Sequence, residues 1–435
     1  MKKEILGIFA YFLCFSAFGQ YTVEGGNGIP LSVVNKNRVE VFLLNELNNS
    51  KITFTSDGAA THQWYKYTDN ISAALAIAST QTSGNTSYIT DLDDACGYFV
   101  RTGGLDSYIW VIDYSLYAPR FFDMEINDDY PCEYLQLLTD MEAEPLYYRD
   151  VNGNRLYIPR TYHLEYNTLQ WDDNLLTFAP LPVSITLNDN AANITIDPAP
   201  LCNTTFTLHG DEFATHFGIE QSLISTEYEA VAVEAHAIAT EKKEQGISEQ
   251  TASVSGDKLG GSAPYEITFD AYANEPIAGM YIWKILKINE KDTTDVLRYQ
   301  GRSISYIFQQ SGDYEVQLDV IGAKSVCINT SESFSVSIGI SALDLPNVFS
   351  PGSSIGVNDQ YRVSYKSIVS FKASIYNRWG NLLYHWEDPA QGWDGRVNGR
   401  YVPTGVYFIV VDAKGADGKE YKLSKDINVL RTEKK

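Results

Sequence analysis

Histidine and acidic side chains are the groups in this sequence most able to support catalysis or hold a metal ion. The six histidines stand singly, except that His209 and His216 lie seven residues apart and flank Asp211 and Glu212. Zinc sites built from such residues show close ligand spacings such as H-E-x-x-H, which are missing here. We therefore interpret these four residues as solvated loop residues and predict neither a metal site nor a cofactor.

Motifs of nucleophilic and nucleotide chemistry are also missing. The sequence contains no G-x-S-x-G segment, no Walker loop and no G-x-G-x-x-G fingerprint. We accordingly predict no catalytic residue and a protein that is not an enzyme.

One alternative stays open, because a carboxylate pair that hydrolyses glycosides leaves no local signature. Residues 119–242 contain the aromatic segment YYRDVNGNRLYIPRTYHLEY, and Trp171 is followed there by Asp172 and Asp173. Exposed aromatic rings can bind sugars, whereas buried rings fill a core. The alternative is a secreted hydrolase or carbohydrate-binding protein that acts on polysaccharide through residues 119–242.

The first twenty residues, MKKEILGIFAYFLCFSAFGQ, have the pattern of a signal peptide. Lys2 and Lys3 precede a short apolar run, and Ala17 and Gly19 supply the small residues of a cleavage site. We predict that residues 1–19 are removed on export. We find no other apolar run of about 18 residues and therefore predict no transmembrane segment.

Cysteine usage then points to a disulfide. Removal of the leader takes away Cys14 and leaves four cysteines, an even set that favours a disulfide in an exported protein. Cys132 and Cys202 are the candidate pair, because one bridge between them would close a single domain. Cys96 and Cys327 are interpreted as thiols of separate domains.

Composition indicates an acidic protein made of several β domains. The chain of 435 residues is long enough for three or four domains, and its 30 Tyr residues favour strands. The net charge of −22 argues against nucleic acid as a partner, since nucleic acid requires Lys and Arg patches. We predict an all-β tandem of immunoglobulin-like and related sandwiches ending in a C-terminal sandwich.

The pattern divides the chain into a leader and four units. Residues 20–118 resemble an immunoglobulin-like sandwich, with Trp64 in mid-strand and Asp94 and Tyr98 placed as in a tyrosine corner. Residues 119–242 read as a second sandwich, whose segment YEAVAVEAHAIATEKK is its predicted final strand. The polar segment 243–258 is predicted to be a linker.

Residues 259–340 form the third predicted unit. Phe269 and Trp283 are expected to fill one core, and the segment after Gly312 alternates apolar residues as a half-buried strand does. This order of features resembles the PKD (polycystic-kidney-disease-type) family of extracellular sandwiches. The resemblance implies a spacer or a binding module.

Residues 341–435 are predicted to form a compact sandwich of short strands, along which several different motifs follow one another. FKASIYNRWG is a strand that ends in a tight turn, and NLLYHW returns antiparallel. Trp379, Trp393 and Tyr407 are expected to anchor the core, with Arg378 paired to Asp394 or to a carbonyl. The motif residues are Pro346, Asn347, Phe349, Pro351, Asn358, Asp359, Asn377, Arg378, Trp379, Gly380, Trp393, Asp394, Gly395, Pro403, Gly405 and Tyr407.

These motifs resemble the gliding-motility-associated C-terminal domain of Bacteroidetes surface proteins, the type B sorting domain of the type IX secretion system. The resemblance implies export across the inner and outer membranes, to the cell surface or the medium, with the secretion machinery as the partner. The segment GSSIGV before Asn358 departs from the family's Asn-Gly-Asp-Gly run.

We therefore expect an exported modular protein. Its N-terminal sandwiches would act in adhesion or binding, with a glycan or protein ligand, or as structural modules of the envelope.

Overall fold

The computed structural model describes residues 21–36, 38–102, 108–189, 191–242, 253–254, 258–288, 296–331, 333–353, 356 and 358–431. The predicted signal peptide and most of the predicted linker 243–258 lie outside these residues. Within them the chain is nearly all β, which confirms the predicted fold class. The helical elements of this part are α1, Glu212–Phe217, and two 3-10 turns, Ile71–Ala73 and Tyr114–Leu116.

The first sandwich packs a four-stranded sheet, in the order β1-β4-β8-β7, against a six-stranded sheet, in the order β2-β3-β10-β9-β5-β6. Trp64 is fully buried between the two sheets, as its mid-strand position predicts. The strands are β1 Tyr21–Glu24, β2 Leu31–Lys36, β3 Val39–Leu44, β4 Lys51–Thr55, β5 Gln63–Tyr67, β6 Leu75–Ile77, β7 Thr80–Ser83, β8 Thr86–Thr90, β9 Cys96–Arg101 and β10 Tyr108–Asp113.

The turn before β9 is fastened in the manner of a tyrosine corner. The Tyr98 hydroxyl accepts a 2.7 Å hydrogen bond from the backbone N–H of Asp93. The Asp94 carboxylate accepts hydrogen bonds from the Asp113 N–H and from the Tyr117 hydroxyl. The acidic residues of this loop therefore hold strand ends in place.

The second sandwich contains sheets in the orders β11-β12-β17 and β16-β15-β18-β19 and a separate hairpin, β13-β14. The hairpin turns at Asn152-Gly153, and the Asp150 carboxylate accepts hydrogen bonds from the backbone N–H groups of Asn152 and Asn154. The strands are β11 Arg120–Asn127, β12 Leu135–Glu142, β13 Tyr147–Arg149, β14 Arg155–Tyr157, β15 Thr161–Asp172, β16 Thr177–Asn188, β17 Asn193–Ile196, β18 Thr207–His209 and β19 Ser222–Ile224.

The third sandwich contains sheets in the orders β21-β20-β23-β26 and β22-β29-β27-β24-β25, with β28 paired to β27. Phe269 and Trp283 are fully buried with ring centroids 5.6 Å apart, so they fill one core as expected. The strands are β20 Ala235–Glu241, β21 Ser253–Val254, β22 Lys258–Gly261, β23 Tyr265–Ala273, β24 Ala278–Ile288, β25 Val296–Gln300, β26 Ser303–Phe308, β27 Gly312–Gly322, β28 Ile328–Thr330 and β29 Phe334–Ile338.

The assignment of β20 to the second sandwich was wrong. Ala235–Glu241 pairs along its whole length with β23 and joins the core of the third sandwich. Ser253–Val254, inside the predicted linker, pairs with β20 as well. Period-two alternation shows that a segment is a half-buried strand, but it does not show which sheet receives the strand.

The C-terminal sandwich is built on the sheet β31-β38-β37-β33-β34, with the small sheets β30-β32 and β35-β36 beside it. Alternate residues of β37 are buried, as in a strand with one face on a core. The strands are β30 Ala342–Asp344, β31 Val348–Phe349, β32 Ser364–Lys366, β33 Ile368–Tyr376, β34 Leu382–Trp386, β35 Arg396–Val397, β36 Arg400–Tyr401, β37 Gly405–Gly415 and β38 Glu420–Val429.

The disulfide joins two sandwiches rather than closing one. Cys132 is bonded to Cys327, while Cys202 and Cys96 are free thiols, so the predicted Cys132–Cys202 bridge was wrong. The loop after β11 reaches the loop before β28, which brings Cys132 to the third sandwich. Sequence separation carries no information about this contact, because docking between domains sets it.

Candidate functional site

The turn between β33 and β34 forms one wall of an open groove in the C-terminal sandwich. The Asn377 side-chain oxygen accepts hydrogen bonds of 3.0 Å from the N–H groups of Trp379 and Asn381, and Gly380 takes a φ of +79°. This geometry holds Arg378 and Trp379 outward at the tip. The Trp379 side chain is 71% exposed, and the Arg378 guanidinium lies 4.4 Å from the centre of its ring.

The opposite wall is the segment that leads into β37. The Tyr407 hydroxyl donates a 2.9 Å hydrogen bond to the carbonyl of Pro403, which fixes the loop between them. Burial raises the pKa of Tyr407, and the positive charge of Arg378 opposes this rise. Tyr407 is therefore a neutral hydrogen-bond donor near neutral pH.

The groove between these walls has a volume of about 310 Å³. Six of its lining residues belong to the motif set, so the fold brings two separate motifs together. The lining residues are Asn377, Arg378, Trp379, Leu383, Val397, Val402, Pro403, Thr404, Gly405, Val406 and Tyr407.

A stack of arginine and tyrosine side chains stands beside the groove. The guanidinium groups of Arg396 and Arg431 lie 4.3 Å and 4.7 Å from the centre of the Tyr401 ring. Arg396 also donates a 2.9 Å hydrogen bond to the Tyr401 hydroxyl, and Arg431 donates a 3.4 Å hydrogen bond to the Val402 carbonyl. The stack fixes two cations at the β35-β36 hairpin, which carries Val397 and leads into Val402.

Other motif residues build the core beneath the groove. Trp393 is fully buried, packs on Phe349 and Tyr407, and donates a 3.0 Å hydrogen bond from Nε1 to the Arg396 carbonyl. Gly395 takes a φ of +76°, and a Cβ there would lie 2.7 Å from side-chain carbons of Pro351. These residues support the groove but are not available to a partner.

The remaining motif residues fasten loops. The carbonyl of Pro346 accepts a 2.8 Å hydrogen bond from the Tyr361 hydroxyl, and the carbonyl of Asn347 accepts one from the Asn428 N–H. The Asn358 carbonyl accepts a bond from the Ser350 N–H, and the Asp359 carboxylate accepts one from Gly356. Asp394 accepts a 2.9 Å bond from the Arg396 N–H at the turn before β35.

One expectation for this domain was wrong. Trp379 does not anchor the core, since its side chain is exposed, whereas Trp393 and Tyr407 are buried as expected. Of the two partners expected for Arg378, Asp394 contacts Arg396 at 3.9 Å instead, and the Arg378 guanidinium lies over Trp379. The residue type shows that a Trp side chain in a turn is large and apolar. The backbone path of the turn decides whether that side chain faces the core or the solvent.

The acidic residues between His209 and His216 also differ from expectation. Asp211 is fully buried, caps α1, and accepts a hydrogen bond from Arg160, so it is not a solvated loop residue. Glu212 accepts a bond of 2.6 Å from the Thr161 N–H. In the part of the chain described, no group of His, Cys, Asp and Glu residues is arranged to hold a metal ion.

Trp171, a candidate for a sugar-binding face, packs between sandwiches. Its ring is stacked on His236 with centroids 4.4 Å apart and touches Phe178 and Tyr272 at 5.3 Å and 5.4 Å. Its Nε1 donates a 2.7 Å hydrogen bond to Asp173. Trp171 thus connects the long β15-β16 hairpin to β20 and β23 of the third sandwich.

The sequence reasoning missed the Arg396–Tyr401–Arg431 stack and the buried Arg160. A signal for the first was present in the charge distribution. Residues 341–435 hold 13 Lys and Arg against 10 Asp and Glu, a net charge of +3, whereas residues 1–340 carry −25. The charge of Arg160 gave no local sign of burial, because its partner lies 51 residues away.

Comparisons with known families agree with this architecture. Residues 343–425 match the CHU_C type IX secretion signal domain, and residues 125–225 match the fibronectin type III domain. Neither matched family is a catalytic one. No curated protein matches the sequence. No helix among the described residues is long and apolar enough to cross a membrane.

Three solved structures illustrate what the chain is similar to. A tetra-tandem repeat from the extending region of a large adhesion protein is 9% identical with a TM-score of 0.23, covering 90% of this chain and 99% of that one. The FN1-FN3 domains of chicken CNTN1 are 11% identical with a TM-score of 0.23, covering 71% and 98%. The BSP domain of a biofilm-associated protein is 10% identical with a TM-score of 0.18, covering 96% of each.

The matched family and the core that its motif residues build identify the last unit. The C-terminal domain of this chain is a CHU_C type IX secretion signal domain, which marks the chain for export to the cell surface or for secretion by the type IX machinery.

Proposed function

We propose that this exported protein is a non-enzymatic surface module whose first two sandwiches bind a glycan or protein ligand or serve in the structure of the envelope. The third sandwich, with its PKD-like pattern, acts as a spacer. The observation that carries the proposal is that the upstream sandwiches are joined by buried contacts. Such joints suit a module that must present one surface in a fixed position.

The joint between the first and second sandwiches is apolar and extensive. The outer face of the six-stranded sheet, including Trp110 and Phe99, packs on Tyr148 of the β13-β14 hairpin and on Phe213 of α1. Strands buried on both faces need continuous apolar runs, and β10 has one in YIWVI. The burial of this face argues for one stiff two-sandwich body.

A buried ionic network reinforces the same joint. Arg160 donates a 2.7 Å hydrogen bond to Asp211 and a 2.8 Å hydrogen bond to the Tyr117 carbonyl. The Tyr114 hydroxyl donates to the other oxygen of Asp211. The network thus connects residues of the first sandwich with residues of the second.

The joint between the second and third sandwiches combines a covalent bond and packing. The Cys132–Cys327 disulfide crosses it, and the Trp171–His236 stack lies across it as well. The Asn274 side chain, also fully buried, donates to the Leu201 and Ala232 carbonyls. These contacts favour a spacer that holds its orientation over one that swings freely.

The experiment is a binding and turnover assay with the mature full-length protein. A glycan array and a surface-fraction pull-down would report binding, and reducing-sugar release from the bound polysaccharide would report turnover. The proposal expects binding without turnover, or incorporation in the envelope fraction. Turnover of any polysaccharide by the purified protein would contradict it and would support a secreted hydrolase.

A further inference from the structure

We propose that the groove between Asn377 and Tyr407 binds an acidic, extended segment of a partner protein in the secretion machinery. The proposal rests on the role of the C-terminal domain as a secretion signal and adds the site and the chemistry of its recognition. Charge, exposed aromatic surface and shape support it as separate lines of argument.

The charge of the domain favours an acidic partner. Residues 341–435 carry +3 in a chain that otherwise carries −25, so the positive charge of this protein is concentrated on its signal domain. A local positive field attracts acidic segments and repels basic ones, and it discriminates between partners. The rest of the chain, with its net negative charge, does not compete with this domain for an acidic segment.

Four of the five arginines of the domain lie at the groove or around the adjoining β35-β36 hairpin. Arg378 lines the groove, Arg396 and Arg431 flank Tyr401, and the exposed Arg400 begins β36. Guanidinium groups bind carboxylates through paired hydrogen bonds, which gives direction as well as charge. Among the described residues of the domain, these four arginines form one ion pair, the 3.9 Å contact of Arg396 with Asp394.

Exposed aromatic surface supplies an anchor at the same place. Trp379 is 71% exposed although its neighbours Trp386 and Trp393 are buried. Trp, Tyr and Arg dominate the residues whose loss weakens protein interfaces most. Trp379 and Arg378 present an aromatic ring and a guanidinium group side by side at the tip of a turn that Asn377 holds in place.

The shape of the groove suits an extended chain rather than a compact ligand. It is open, about 310 Å³ in volume, and it runs between a turn and a proline-containing segment with Val397, Val402 and Pro403 on its floor and wall. An extended peptide places alternate side chains on such a surface, with apolar groups against the wall and carboxylates toward the arginines.

The first test measures export of full-length variants in the host. Arg378→Glu and Trp379→Ala alter exposed groove residues, whereas Lys422→Glu and Val410→Ala alter exposed residues elsewhere on the same sheet. We expect roughly tenfold less surface protein for the groove variants, the ratio that corresponds to about 1.4 kcal/mol of binding free energy. Arg378→Lys should retain more export than Arg378→Glu. The control variants should be exported normally.

The second test identifies the occupant by photo-crosslinking. Benzoylphenylalanine replaces Trp379 in the full chain, with the same probe at Val410 as the control, and the crosslinked partner peptide is sequenced. The proposal predicts an adduct at position 379 alone, with a segment rich in Asp and Glu. A neutral or basic segment, a lipid adduct, or equal yields at the two positions would overturn it.

The export results also show whether the groove proposal fails by itself or together with the role of residues 341–435 as a secretion signal. If deletion of residues 341–435 blocks export while both groove variants are exported normally with unchanged thermal unfolding, the groove proposal is wrong and the signal role stands. If the deletion variant itself reaches the surface normally, the signal role fails and the groove proposal fails with it.

Discussion

Arg160 and Asp211 form a buried ion pair, joined by a 2.7 Å hydrogen bond, at the junction of the first and second sandwiches. Removing a charged pair from water is costly, and the cost is offset only where further hydrogen bonds satisfy both partners. Here Arg160 also reaches two backbone carbonyls, and Asp211 caps α1 and accepts from Tyr114. The pair therefore fixes how the two sandwiches meet.

The first prediction concerns this pair. Arg160→Ala or Asp211→Ala should each destabilise the first and second sandwiches by roughly 3–5 kcal/mol, because the remaining charge is left buried without its partner. Urea unfolding followed by tryptophan fluorescence measures the change. Lys372→Ala, which removes an exposed partner of Glu387, is the control and should leave the transition unchanged. If Lys372→Ala destabilised the protein as much as Arg160→Ala or Asp211→Ala, a special role for the buried pair would be contradicted.

The second prediction concerns the disulfide between sandwiches. A non-reducing digest of the purified protein should contain a linked peptide pair with Cys132 and Cys327, and Cys202 should react with a thiol reagent after unfolding. Cys327→Ser should cost roughly 2–4 kcal/mol, because the cross-link limits the unfolded chain. Cys202→Ser should cost much less. A linked Cys132–Cys202 peptide would show that the observed pairing is not the one formed in solution.

The third prediction concerns glycine at the base of the groove. Gly395→Ala should destabilise the C-terminal sandwich by roughly 1–3 kcal/mol beyond the backbone cost, because the new methyl group would meet Pro351 at 2.7 Å. Gly399→Ala is the matched control, since its φ is +79° and no atom lies within 4 Å of the added carbon. Thermal unfolding of both full-length variants compares them. Equal losses would mean that the Pro351 contact relaxes freely.

The fourth prediction concerns pH. Burial lowers the pKa of His62 below its usual 6.5, and the ring lies between the hydroxyls of Ser56 and Ser87. The unfolded chain therefore binds a proton at higher pH than the folded one. Stability should be full above pH 6.5 and should fall as the pH drops from there toward the folded pKa.

The His62→Gln variant tests this source of pH dependence. Its unfolding midpoint, measured against the wild type across the same pH range, should lack the part of the slope that His62 contributes. An identical slope in the two proteins would assign the pH dependence to other groups.

Particular residues show how far sequence reasoning reached. The burial of Trp64, Phe269 and Trp283 followed from alternation within strands, which is a local property. The C-terminal motifs indicated the signal domain, because their order over nearly the whole unit is specific. The Asn152-Gly153 hairpin likewise followed from local turn chemistry.

Contacts between distant segments could not be predicted in this way. The partner of Cys132 and the burial of Asp211 depend on how sandwiches dock, and the pairing of β20 with β23 depends on which sheet receives the strand. One signal could have been used more fully. The apolar runs of β9 and β10 continue on both faces, which indicates that a second layer covers their sheet.

The location of a variant that lacks residues 341–435 decides whether this domain is the secretion signal. Cell fractionation in the host, with antibody detection of the remaining sandwiches, compares it with the full chain. We expect the truncated protein to stay in the periplasm while the full chain reaches the surface or the medium. Normal surface display of the truncated protein would contradict the assignment of residues 341–435 as the secretion signal.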